Sequence, residues 1–81
     1  MAVHLYALST CPYCRMTRKY LDEHEGVYEL TEVDLLEGDA KDAAIAEVVR
    51  LSGGKSFPVL DVDGQVVVGF NKGRIVQVLG L

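Results

Sequence analysis

Cys11-Pro12-Tyr13-Cys14 places two thiols three residues apart. That spacing is close to one helical turn, so the two sulfurs can close a ring or act one after the other on the same disulfide. Thiolate, not thiol, is the attacking form, and an ordinary cysteine ionises only near pH ~8.5. At the start of a helix, free backbone N–H groups and the positive end of the dipole favour the charged sulfur. A first cysteine in such a pair ionises at roughly 3.5–7.5. The chemistry these residues fit is thiol–disulfide exchange.

Charge around the pair differs from that of the chain. Arg15, Arg18 and Lys19 follow the motif with no acid in residues 11–20, whereas residues 22–47 hold ten acids and one base, Lys41. The three cations either favour a thiolate or form a solvated helix face, the default for exposed charge. Two cysteines could instead be half of a zinc site, which takes four ligands. His4 and His24 are the only histidines. His24 lies thirteen residues past Cys11, about 20 Å along a helix, and His4 lies at the far end of the preceding apolar run. Neither is expected at the sulfurs, so no intramolecular metal site is predicted. An iron–sulfur cluster bridged between two chains stays open as a reading of another class.

The elements that must hold this pair are legible around it. Residues 3–8 (VHLYAL) are apolar and β-prone, a strand buried on both faces. Pro12 suits the first helical turn, and the helix is expected to run to about Glu25, with Gly26 as its stop. Residues 27–35 read as an edge strand. Asp39 is expected to cap a helix to about Ser52 that presents Ala44, Ile45, Val48 and Val49 on one face and ends at Gly53-Gly54. Residues 58–62 and 65–68 flank Asp63-Gly64, a strong hairpin signal. Asn71 is placed to cap a last helix carrying Ile75, Val78 and Leu79. The order is β-α-β-α-β-β-α. A right-handed βαβ unit joined to a hairpin gives a four-stranded mixed sheet with helices on both faces, an α/β domain spanning 1–81.

Composition sets the outer limits. The chain has 81 residues, 49% hydrophobic and 25% charged, which excludes a disordered tail. Its net charge of -4 argues against a nucleic-acid binder. No apolar run reaches membrane-spanning length, and Met1 to Tyr6 show no charged n-region or cleavage site, so neither membrane nor secretion is expected. Two cysteines in one tetrapeptide are too few to staple a secreted domain. A cytoplasmic monomer with no bound cofactor is the expectation.

The segment from Leu5 through Cys11-Pro12-Tyr13-Cys14, with the later Ser56-Phe57-Pro58-Val59, hairpin and short helix, resembles a glutaredoxin over essentially the whole chain. On its own, Pro58 reads as a permitted first residue of a strand. The resemblance implies more: a thioredoxin-like fold, Cys11 as the attacking thiolate, Cys14 as the resolving thiol and Pro58 as a cis-proline against the pair. It also implies that the Phe57 backbone pairs with a bound peptide or glutathione as an added strand, with Pro12 and Tyr13 bordering the groove. Disulfide-bearing proteins or glutathione are the implied partners.

Two departures bear on the electron donor. Glutathione-using members of the family usually carry a Lys three residues before the first cysteine, where this chain has Leu8. They also tend to have a Gly-Gly-x-Asp turn, where this chain has Val68-Gly69-Phe70-Asn71-Lys72. Asn71 supplies a hydrogen-bonding group there without charge, and Lys55, Arg15 and Lys72 are the cations left to receive a carboxylate. The Gly-Phe-Asn turn is more similar to small redoxins that serve ribonucleotide reductase and draw electrons from thioredoxin reductase.

Overall fold

A computed structural model describes residues 2–24, 28–54 and 56–80. Gly26, expected to stop the first helix, and Lys55 lie outside the described residues. The chain runs β1 (Val3–Ala7), α1 (Pro12–His24), β2 (Glu29–Glu32), a 3-10 turn (Val33–Leu35), α2 (Gly38–Ser52), β3 (Val59–Val62), β4 (Gln65–Val68) and α3 (Lys72–Leu79). The sheet order is β2-β1-β3-β4. β1 pairs in parallel with β2 and antiparallel with β3, and β3 with β4. This is the mixed four-stranded α/β arrangement expected, with β2 at an edge.

Both faces of the sheet are covered. Leu5, Ala7, Leu60 and Val62 join Cys14 and Leu21 of α1 and Ile75, Val78 and Leu79 of α3 in one core. Tyr6 and Val59 join Val33 of the 3-10 turn and Ala44 and Val48 of α2 in the other. The strand alternation explains the division: successive side chains of β1 and β3 leave opposite faces of the sheet.

The hairpin forms on Asp63 and Gly64, both at positive φ (50° and 90°), with Val62 paired to Gln65 across the two-residue loop. Positive φ at both central residues is the geometry whose twist matches the strands it joins. The Asp61 carboxylate accepts the Gly64 N–H at 2.9 Å.

Three expectations are corrected. Of the 27–35 segment, Val27 lies outside the described residues, and among the rest the strand covers Glu29–Glu32; Val33–Leu35 tightens into a 3-10 turn that buries Val33 and leaves Leu35 exposed. Asp39 does not cap α2: the helix starts at Gly38, Glu37 holds the cap position, and no side chain bonds there. Asp39 sits instead in the first turn, where its charge complements the dipole. Val49 is exposed, so the buried stripe of α2 is Ala44 and Val48, with Ile45 half-buried at its margin. The other end of α2 follows the expectation, closing on Gly53 at φ 77°.

Candidate active site

β1 delivers the chain to a short loop, Leu8 to Thr10, and Pro12 then opens α1. Cys11 is the residue before the helix, with its carbonyl already accepting the Arg15 N–H at 3.1 Å. Its own N–H donates to the Leu8 carbonyl at 3.3 Å. The Cys11 sulfur thus faces the unsatisfied N–H groups of the first turn. Pro12 itself lacks an N–H, which no helical partner would have used.

The two thiols are held in different environments. Cys11 is half-buried and Cys14 is fully buried within the α1–α3 core. Burial works against charge on Cys11, but hydrogen bonds from the Cys14 thiol and from the Cys14 and Tyr13 N–H groups outweigh it and lower its pKa. Burial pushes the Cys14 thiol up to about 11. The Leu8 N–H, 3.4 Å from the Cys14 sulfur, opposes that rise, while the hydrogen bond to Cys11 and the charges of Cys11 and Asp34 add to it. One sulfur is prepared to be a thiolate and the other to keep its proton.

Cation charge does not carry this asymmetry. Arg18 pairs with Glu32 of β2 at 3.6 Å, and Arg15 and Lys19 share a shallow depression on the outer face of α1 with Asp22 and Glu23. The Cys11 shift has hydrogen bonds as its lowering causes. The basic stretch is a helix face, not the activator of the sulfur.

The Phe57–Pro58 peptide is cis. Antiparallel pairing of Tyr6 with Val59 places it at the same end of the sheet as the cysteine loop. Pro58 is buried, and its carbonyl accepts the Gly69 N–H at 2.8 Å, tying the turn before α3 to it. Phe57 is half-buried and touches both cores. Beside it, Leu8, Val33, Asp34, Lys41, Ile45 and Val48 line the rest of an apolar cleft of about 190 Å³. Tyr13, on the first turn of α1, stands 62% exposed.

Asn71 lies in the turn but is engaged as the cap of α3, its Oδ1 accepting the Arg74 N–H at 3.2 Å. Lys72, offered by the sequence as a carboxylate receptor, lies over the Tyr20 ring at 5.5 Å. Phe70 meets the same ring edge-on. Neither histidine joins the cysteines. His4 bonds through Nε2 to Thr31 Oγ1 at 2.6 Å and stacks on Tyr6, while His24 packs against Tyr20. Among the described residues no group of three His, Cys, Asp or Glu side chains is placed to hold a metal ion.

Two contacts around the pair escaped the sequence reading. Thr17 is buried on α1, its hydroxyl donating to the Tyr13 carbonyl at 2.9 Å and so closing the turn that contains Cys14. Asp34 accepts both the N–H and the hydroxyl of Ser9. A lone acid between Val33 and Leu35 was the one sign of the second.

Comparison with known proteins agrees with this geometry. The glutaredoxin family model matches residues 3–67. An uncharacterized glutaredoxin-like 8.6 kDa protein in a rubredoxin operon of Clostridium pasteurianum is 33% identical over 73 residues, 90% of this chain and 91% of that one. Of solved structures, the glutaredoxin of Archaeoglobus fulgidus is 37% identical with a TM-score of 0.89, over 98% of this chain and 87% of that one. Methanoredoxin of Methanosarcina acetivorans is 38% identical with a TM-score of 0.91, over 99% and 85%.

Proposed function

The chain belongs to the glutaredoxin family, and from that premise we propose that it is a dithiol–disulfide oxidoreductase reducing protein or small-molecule disulfides. The observation that supports this most is the opposed preparation of the two sulfurs, one lowered and half-exposed, the other raised and buried. The Cys11 thiolate attacks a substrate disulfide R–S–S–R′, forming a Cys11–S–S–R bond and releasing R′S⁻. Cys14 then gives up its proton and attacks the Cys11 sulfur. The intramolecular disulfide forms, RS⁻ leaves and takes a proton, and two electrons have passed from the dithiol to the substrate. Phe57, cis-Pro58 and Tyr13 border the place where R would lie, with the Phe57 backbone as the strand-pairing edge.

The test is turnover of a small disulfide by two variants. Cys11→Ser is expected to abolish exchange. Cys14→Ser is expected to accumulate a mixed disulfide on Cys11 or to turn over by a monothiol route. Full dithiol turnover in both variants would overturn the reading.

For the donor, one observation favours thioredoxin reductase over glutathione. Leu8 stands where glutathione-using relatives place a lysine, and it packs into both cores rather than offering a charge. Glutathione remains the alternative reductant. A reductant needs its own thiols kept reduced, which fits a cytoplasmic setting. Among the described residues no helix is long and apolar enough to cross a membrane.

A further inference from the structure

Asp34 is far from Cys14 in sequence, on the 3-10 turn that leads from the edge strand to α2. Its two carboxylate oxygens close on one residue: Oδ1 accepts the Ser9 N–H at 2.9 Å and Oδ2 accepts the Ser9 hydroxyl at 2.5 Å. Ser9 is the middle of the loop between β1 and Cys11. A paired grip on backbone and side chain together fixes the peptide plane that joins Leu8 to Ser9. Leu8, the preceding residue, donates its N–H to the Cys14 sulfur at 3.4 Å. It also accepts the Cys11 N–H through its carbonyl at 3.3 Å. The loop that Asp34 holds therefore touches both cysteines, but its contact with a sulfur is with Cys14.

We propose that Asp34 is a positioning residue for the resolving half-reaction: through Ser9 and Leu8 it holds the backbone N–H that steadies the Cys14 sulfur for its attack on Cys11. The inference rests on the exchange chemistry proposed above. In that step the Cys14 S–H loses its proton, a Cys14–Cys11 bond forms, the Cys11–S–R bond breaks, and RS⁻ departs. The Leu8 N–H points at the sulfur on which negative charge appears before attack, so it stabilises the reacting form. The lowering influences on the Cys11 sulfur come from Tyr13 and Cys14, and this loop reaches Cys11 only at its N–H, so the attack of Cys11 on substrate is expected not to slow with it.

The carboxylate has a second, opposite influence. The charged groups that bear on Cys14 are Cys11 beside it and Asp34 from the 3-10 turn, and both disfavour its thiolate. Lys41 of α2 faces Asp34 across the apolar cleft and tempers that charge. The acid thus helps through the loop and hinders through space. Asp34→Asn removes the charge while keeping an oxygen for the Ser9 N–H. Asp34→Ala removes both.

A symmetric aromatic disulfide that releases a coloured thiol, such as dithiobis-nitrobenzoate, separates the two half-reactions in one trace. The first equivalent reports Cys11 attack and the second reports resolution by Cys14. The expected result is an unchanged first phase in all proteins, with a second phase about fivefold slower in Asp34→Ala than in Asp34→Asn, the size of one ordinary hydrogen bond. Asp34→Asn is expected to resolve at least as fast as the wild type below pH ~9, since the repulsive charge is gone. Equal second phases in the two variants overturn the proposal, as does a slowing of both phases together. If Asp34→Ala does not fold, Ser9→Ala removes one of the two bonds, and a second phase as fast as wild type then overturns it. Failure of the wild type to release a second equivalent would instead sink the exchange reading itself.

Discussion

Cys11 and Cys14 are shifted in opposite directions: the Cys14 side chain lowers the Cys11 pKa, while its own is raised by burial and by Cys11. A donor that stabilises its neighbour's anion must keep its own proton to do so. Cys14→Ala, which has no donor, is therefore expected to raise the Cys11 pKa, and Cys14→Ser, which has a hydroxyl, to raise it less. The pH dependence of iodoacetamide alkylation on Cys11 measures both. Identical profiles in Ala, Ser and wild type would show that the backbone N–H groups alone hold the thiolate.

Alkali should weaken the reduced protein through Cys14. Its folded pKa of about 11 lies above that of an unfolded cysteine, so folding retains a proton that unfolding releases. The corresponding stability is fully present below pH ~8.5 and is lost as the pH rises towards 11, on the order of 2–3 kcal/mol across the window. Urea midpoints of Cys11→Ser and of Cys11→Ser combined with Cys14→Ser, taken from pH 7 to 11, isolate it because the other titrating groups are then the same. The protein that keeps Cys14 is expected to lose ground against the double variant only above pH ~8.5. Parallel curves would contradict the assignment.

Asn71 joins a structural role to a place in the turn. Its Oδ1 caps α3, which buries Ile75, Val78 and Leu79. Asn71→Ala is expected to cost about 1 kcal/mol in urea unfolding, the ordinary loss of a helix cap. Asn71→Asp keeps the cap and restores the acid that the family's glutathione-binding turn usually carries. It should leave stability near that of the wild type and lower the KM for glutathione. A cap-neutral Asp variant with an unchanged KM would mean that the turn does not meet glutathione.

The proposed preference for thioredoxin reductase can be tested at Leu8 in the same way. NADPH consumption with a disulfide substrate is followed once with glutathione and glutathione reductase, and once with thioredoxin reductase. Wild type is expected to run faster from thioredoxin reductase. Leu8→Lys should raise the glutathione-driven rate by several-fold, since a lysine there offers a carboxylate a partner. A wild type driven by glutathione alone would establish that Leu8 permits a glutathione site without help from a charge.

Much of this molecule was open to reading because local signals and tertiary needs agree. Asp63-Gly64 between two valine-rich runs folds as its type demands, and Asn71 caps the helix it precedes. The readings that failed lie where a contact distant in sequence decides. Val33 leaves the strand because the core under α2 takes its side chain. Asp39 loses the cap because the helix begins at Gly38, two residues before the start that an Asp39 cap would set. The Arg15, Arg18 and Lys19 stretch stays open in the sequence between an electrostatic device and a solvated helix face, and the pairing of Arg18 with Glu32, a residue of another element, bears on the choice. For the same reason the chain shows an acid at Asp34 but not its partner: Ser9 is twenty-five positions away, and the parallel β1–β2 pairing brings their neighbourhoods together.

The position of β1 in the sheet sets an order of events during synthesis. It precedes the other three strands of the sheet in the chain and is an interior one, with β2 on one side and β3 on the other. A nascent chain that has reached only Ser52 can fill one side of it; the other waits for Val59–Val62. Phe57 and Pro58 arrive at the cysteine loop in that same late stretch. Closing the sheet and assembling the redox end are therefore one event, and neither can occur until β3 has been made. A chain stalled short of β3 would carry the two thiols without the surface that selects what they meet.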